Sequence, residues 1–122
     1  MTIHGPRKTH EFGFALDTGS NRTTLRPHLM RMLGFDLTNP VRLDRFRSVT
    51  GGGQAGAFVA PQVTALGVTH TDFMLHAQKL SAGLTIDGLL GLDFLRGRVL
   101  TLDFVRGRIA LRPPRPWWAF WR

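Results

Sequence analysis

Glycine and proline interrupt this chain so often that no long helix fits into it. Fourteen Gly and seven Pro are spread over 122 residues, and the apolar stretches between them are short. Runs that alternate apolar and polar side chains, bounded by turn residues, are strand signals. They predict strands over residues 11–16, 41–49, 55–66, 72–78, 98–104 and 108–112. In "LDFVRGRIAL" the Arg106-Gly107 pair between two alternating runs signals a hairpin. Two short helices interrupt the strands. "RPHLMRMLG" puts Pro27 in a first turn, Leu29, Met30 and Leu33 on one face, and Gly34 at the stop; "GLDFLRG" is a turn or so between Gly91 and Gly97. Six strands and so little helix predict an all-β sheet or barrel in one domain.

Composition removes several function classes. There is no cysteine, hence no disulfide, thiol nucleophile or thiolate metal site. His4, His10, His28, His70 and His76 show no spacing that would set two ligands on one helical turn, so no metal site is expected. No apolar run nears the roughly 20 residues that cross a bilayer, and the first residues lack the apolar core of a secretory signal. A soluble, unprocessed chain is expected, cytoplasmic by default. The formal charge of +8 points toward an acidic partner such as nucleic acid or a membrane surface. Against that, the arginines at 42, 45, 47, 96, 98, 106 and 108 are scattered and read as a solvated surface. Nucleic acid is therefore the weaker partner reading.

The stretch "FALDTGS" drives an apolar run into Asp17 and follows it with Thr18-Gly19-Ser20. A lone carboxylate at the end of a core strand costs several kcal/mol unless hydrogen bonds compensate it. The four residues are also good turn vocabulary, so the motif alone is either a loop or a site. Asn21-Arg22-Thr23 matches a glycosylation acceptor and is read as coincidence. The glycines of "TGGGQAG" lack the Lys-Ser/Thr that a phosphate-binding loop requires. They remain either a flexible turn or a hairpin tip that closes over a ligand.

The order of these pieces is specific. Asp17-Thr18-Gly19-Ser20 after an apolar strand, a short helix, a glycine-tipped hairpin and "IDGLLGLDFLRG" resembles the retropepsin-like aspartic proteases, over about residues 11–111. The resemblance implies a closed acid-protease barrel over 1–112, with 113–122 as a tail. It implies that Asp17, Thr18 and Gly19 are the catalytic signature, that Ser20, Leu89, Leu90 and Gly91 support the catalytic loop, and that Thr50, Gly51, Gly52 and Gly53 belong to a substrate-covering flap. An aspartic endopeptidase acting on polypeptides without a cofactor follows, with apolar residues flanking the scissile bond; the rival is a module of the same fold that binds peptides or partners without cleaving them.

Asp36, Asp44, Asp72, Asp87, Asp93 and Asp103 are not followed by Thr-Gly or Ser-Gly, so the second carboxylate of the family's dyad is expected from a second copy of the chain. Asp87, before Gly88, is read as turn support. Ser20 is expected to donate its hydroxyl to the neighbouring carboxylate and so to favour an acidic pH optimum. Two departures stand out. Arg26 occupies a position where relatives commonly carry Ser or Thr, and it cannot cap the helix as they do. The lead before Asp17 has room for one hairpin at most. The tail "RPPRPWWAFWR" holds aromatic rings expected to pack on the domain or a dimer partner; a membrane-surface anchor is the alternative.

Overall fold

The computed structural model describes residues 1–48, 51–116 and 118. Its strands are β1 (Thr2–His4), β2 (Thr9–Glu11), β3 (Phe14–Leu16), β4 (Thr24–Leu25), β5 (Arg42–Ser48), β6 (Gly51–Ala65), β7 (Val68–Ala77), β8 (Gly88–Leu90), β9 (Val99–Asp103) and β10 (Arg108–Arg112). Helix α1 (Pro27–Met32) follows β4, and α2 (Leu92–Leu95) follows β8. The main sheet runs β2-β1-β6-β7-β4-β8-β3 with β5 added on β6, while β9 and β10 form a separate hairpin.

The fold class is all-β, as expected, but the barrel is not closed. The sheet curls into a half-barrel whose end strands, β2 and β3, do not pair with each other. Both are three residues long, too short to carry a ladder around to the opposite edge. The stretch 11–16 breaks into separate strands at Phe12 and Gly13. Phe12 N–H donates to Met1 O (2.8 Å), and Gly13 exchanges two bonds with Asp87, Gly13 N–H to Oδ2 and Asp87 N–H to Gly13 O, both 2.8 Å. Asp87 thus fastens the entry of β3, the support role read from its place beside Gly88.

β6 is the backbone of the sheet, pairing with β1, β5 and β7. It starts at Gly51, ahead of the expected position 55, because the glycines pair with residues 46–48 of β5. Its hairpin with β7 turns at Leu66 (φ 52°) and Gly67 (φ 75°), the pair of positive values a two-residue turn demands. The hairpin between β9 and β10 has a four-residue loop, 104–107, wider than the Arg106-Gly107 pair alone. Asp103 organises it, its Oδ1 accepting from Val105 and Arg106 N–H at 3.0 Å each.

Ile3, Leu25, Met30, Leu33, Val63, Leu75 and Phe94 are fully buried. Each removes roughly 1.5–3 kcal/mol of apolar side chain from water. Helix α1 contributes Met30, and Leu33 follows at its C-cap. Gly34 (φ 98°) ends the helix as expected: Gly34 N–H donates to Arg31 O (2.9 Å) and Phe35 N–H to Met30 O (3.2 Å). At the other end Arg26 supplies no side-chain cap. Its guanidinium instead reaches the segment after β7, donating from Nε to Ile86 O (2.9 Å), from Nη1 to Leu80 O (3.0 Å) and from Nη2 to Ser81 O (3.0 Å) and Leu84 O (2.8 Å). No helix among the described residues is long and apolar enough to cross a membrane. Trp118 is half exposed; the other tail aromatics lie outside the described residues, and so does the reading of them as packed rings or an anchor.

Candidate active site

β3 lies parallel to β8, pairing Phe14, Ala15 and Leu16 with Gly88, Leu89 and Leu90. The ladder continues one residue further, where Asp17 N–H donates to Leu90 O (2.9 Å). The backbone of Asp17 is thereby fixed while its side chain, half-buried, leaves the strand end. Gly19 N–H donates to Asp17 Oδ1 (3.0 Å), and Ser20 N–H to Asp17 O (3.2 Å). A Cβ on Gly19 would sit 3.2 Å from Asp17 Oδ1, so the missing side chain leaves the carboxylate room. The Gly19 N–H bond, with the side chain only half-buried, answers the cost of a carboxylate at a strand end.

Ser20 does not act as expected. Its hydroxyl donates to Arg22 O (2.8 Å) and holds the loop rather than the Asp17 carboxylate. Asp17 draws its local donor from the backbone, because the loop turns Gly19 N–H toward Oδ1.

Beneath the loop, Thr23 joins three elements, a role its sequence context did not reveal. Fully buried, its Oγ1 donates to Asp93 Oδ1 (2.7 Å) and accepts from Gly91 N–H (3.1 Å), while its own N–H donates to Asp93 Oδ2 (2.9 Å). Leu92 N–H and Asp93 N–H reach back to Ser20 O (2.8 Å) and Asn21 O (3.2 Å). Gly91 passes so close to Arg22 that an added Cβ would strike its carbonyl, which is why a glycine stands there. A buried Thr23 side chain also fits the reading of Asn21-Arg22-Thr23 as a chance match.

The loop opens onto a cleft of about 910 Å³, lined by residues of the loop, of β7 and β8, and of the β5–β6 arm. Of the residues expected at the site, Asp17, Gly19, Ser20 and Leu89 line it. Thr18 is exposed, Leu90 is buried, and Gly91 packs under the loop. Gly51, Gly52 and Gly53 form the end of the arm but are not among the lining residues; Thr50 lies outside the described residues. The arm faces the cleft with Arg45, Phe46, Arg47 and Ala55 instead. The arginines that read as a solvated surface are exposed, and two of them also border the cleft. β5 brings Arg45 and Arg47 beside Arg22, a convergence only the pairing of β5 with β6 creates.

Two contacts tie the base of the arm to the body. Arg22 Nη1 donates to Arg45 O (2.8 Å), and Asp44 Oδ2 meets Nε2 of the buried His76 at 2.8 Å. Asp44 also takes Arg42 Nε at 2.8 Å. The His76 hydrogen bond, then those of Arg42 and the charge of Arg22, hold the Asp44 carboxyl below its ordinary value against the opposing effect of desolvation. His76 Nδ1 and the hydroxyl of its register partner Thr24 are buried without a hydrogen-bond partner among the described residues. Among the same residues no group of three or more His, Asp or Glu side chains is placed to hold a metal ion.

Comparison with known proteins agrees with this geometry. The model of a family described as aspartyl protease matches residues 1–94. The structure is similar to that of a retropepsin-like aspartic protease from Rickettsia conorii, with a TM-score of 0.58, 24% sequence identity, and coverage of 93% of this chain and 89% of that chain. That likeness is one of fold. No curated protein matches the chain. With the family model spanning the Asp17 loop, the arm and the strand-helix element that packs beneath the loop, the chain belongs to the aspartyl protease family, with a retropepsin-like fold.

Proposed function

We propose that the chain is an aspartic endopeptidase whose working form is a homodimer, with Asp17 of each copy supplying half of the catalytic pair. One observation carries the reading. Asp17 is held at the floor of the cleft by backbone donors and is the one carboxylate among the described residues that line it. General acid–base hydrolysis of a peptide needs a base and an acid together. One carboxylate takes a proton from water as the water oxygen bonds to the carbonyl carbon, and the other gives its proton to the carbonyl oxygen. Collapse of the tetrahedral adduct breaks the C–N bond as the first carboxyl passes its proton to the nitrogen and a diol hydroxyl gives its proton to the second carboxylate, which restores the pair. Two carboxyl groups facing each other share one proton, since like charges at that distance do not both ionise readily. Thr18 and Gly19 complete the signature in this reading, Ser20, Leu89, Leu90 and Gly91 support it, and the glycine end of the arm, residues 51–53, closes over bound polypeptide.

The β9–β10 hairpin supports a partner copy. It forms a sheet of its own, packs on the core through Leu100 and Leu111, and exposes Phe104 (90%) and Val105 (95%) at its loop, apolar side chains that association would cover. The test is cleavage of a peptide library by the wild type and by Asp17→Asn, with sedimentation over the same concentrations. Cleavage by the wild type alone, falling per chain on dilution through dimer dissociation, is expected. Equal cleavage by both proteins excludes Asp17, a fully active monomer excludes the paired site, and binding without cleavage supports the non-catalytic module.

A further inference from the structure

We propose that the cleft selects polypeptide segments carrying Asp or Glu side chains close to the scissile bond. The inference rests on the cleft being the peptide-binding site and adds its substrate class. Three arginines, Arg22, Arg45 and Arg47, line the cleft against the single acidic residue Asp17. The nearby Asp44 offsets Arg22 in part, but it is engaged by His76 and Arg42 and pairs with neither Arg45 nor Arg47. Arg45 and Arg47 have no hydrogen bond or ion pair from their side chains among the described residues, whereas Arg22 is oriented by its bond to Arg45 O and keeps its remaining N–H groups. Apolar lining is limited to Phe46, Ala55 and Leu89, with the β carbons and stems of the polar residues. Apolar flanking residues alone would leave these cations to water.

A guanidinium presents a planar fork of donors that matches a carboxylate, and cations clustered in a cleft concentrate anionic segments there. Because the groups are partly open to water, the preference is moderate and screened by salt. For matched peptides differing only by Glu or Gln, a ratio of roughly three to thirty in kcat/KM is expected at low ionic strength.

The experiment places Glu or Gln at each position within three residues on either side of a cleaved bond. Wild type, Arg45→Gln/Arg47→Gln and Arg45→Glu/Arg47→Glu proteins are compared at low and high salt, with circular dichroism confirming that each is folded. Peptide binding to Asp17→Asn, with and without the arginine substitutions, is measured by fluorescence anisotropy. The expected result is a Glu preference at one or more positions that collapses in the Gln variant, inverts in the Glu variant and shrinks with salt. Cleavage by the wild type without a Glu preference overturns this inference and leaves the proposed protease activity standing. Absence of cleavage, with Glu-preferring binding that needs Arg45 and Arg47, does the reverse. An oligonucleotide bound through the same arginines, with no difference between the Glu and Gln peptides, also overturns it.

Discussion

Replacing Thr23 with valine tests whether the layer beneath the active-site loop is held by one hydroxyl. The two side chains are nearly isosteric, so packing changes little and the polar loss stands alone. Thr23 Oγ1 serves Asp93 at 2.7 Å and Gly91 N–H at 3.1 Å. Losing a buried hydrogen bond to a charged group costs about 1.5–3 kcal/mol, and an orphaned buried N–H about 1–3 kcal/mol. Both bonds end on one oxygen, so the costs do not simply add; Asp93 also keeps the N–H groups of Thr23 and Phe94. A loss of about 3 kcal/mol is expected, roughly a hundredfold in the unfolding equilibrium constant. Urea unfolding at several protein concentrations measures it, with the midpoint falling by about 2 M for an m-value near 1.5 kcal/mol/M. Thr23→Ser is the control. It keeps the hydroxyl and loses one methyl group, about 1 kcal/mol. A valine variant as stable as the serine variant would refute the argument.

Two further outcomes follow from the geometry. Ser20→Ala leaves the acidic limb of the kcat/KM profile in place, because the hydroxyl serves Arg22 O while Gly19 N–H serves Asp17; an upward shift of that limb in the full pH profile would return Ser20 to the carboxylate. Asp44→Asn weakens the arm's attachment in a pH-dependent way. A carboxyl whose folded pKa is held down stabilises the fold above its unfolded value, and that stability is lost as pH falls through the lowered value. The deficit of the variant, about 1 kcal/mol, is therefore largest near neutrality and shrinks below the ordinary carboxylate range; thermal unfolding at pH 7 and pH 3 checks the sign.

Features written in neighbouring residues were legible in the sequence. Helix α1 announces itself because Pro27, the apolar face and Gly34 all act within a turn of one another. The Asp17 loop and the "LLGLDFL" element were legible through the order of motifs. Strands β4 and β8 were not, since two or three residues become a strand only through distant partners: Thr24 pairs with both His76 and Leu89. The same holds for the cleft. Arg45 and Arg47 are surface residues as read, but their place at the cleft shows only when β5 is laid against β6, and Ser20 reads as a partner of Asp17 until the loop turns its hydroxyl toward Arg22.

Arg26 separates shape from sequence in the segment between β7 and β8. Its guanidinium donates only to main-chain carbonyls, those of Leu80, Ser81, Leu84 and Ile86, and every residue type offers the same acceptor. The path of this segment is consequently dictated largely from outside, and of its own side chains Asp87 and Ser81 are the ones that hold it, through Gly13 and Gly83 N–H. Such a loop can be rewritten between these two residues without losing its trace. For an engineer it is a place to graft new side chains near Gln78 at the cleft wall, provided Arg26 stays. The residue that failed to cap a helix leaves the chain a segment open to variation.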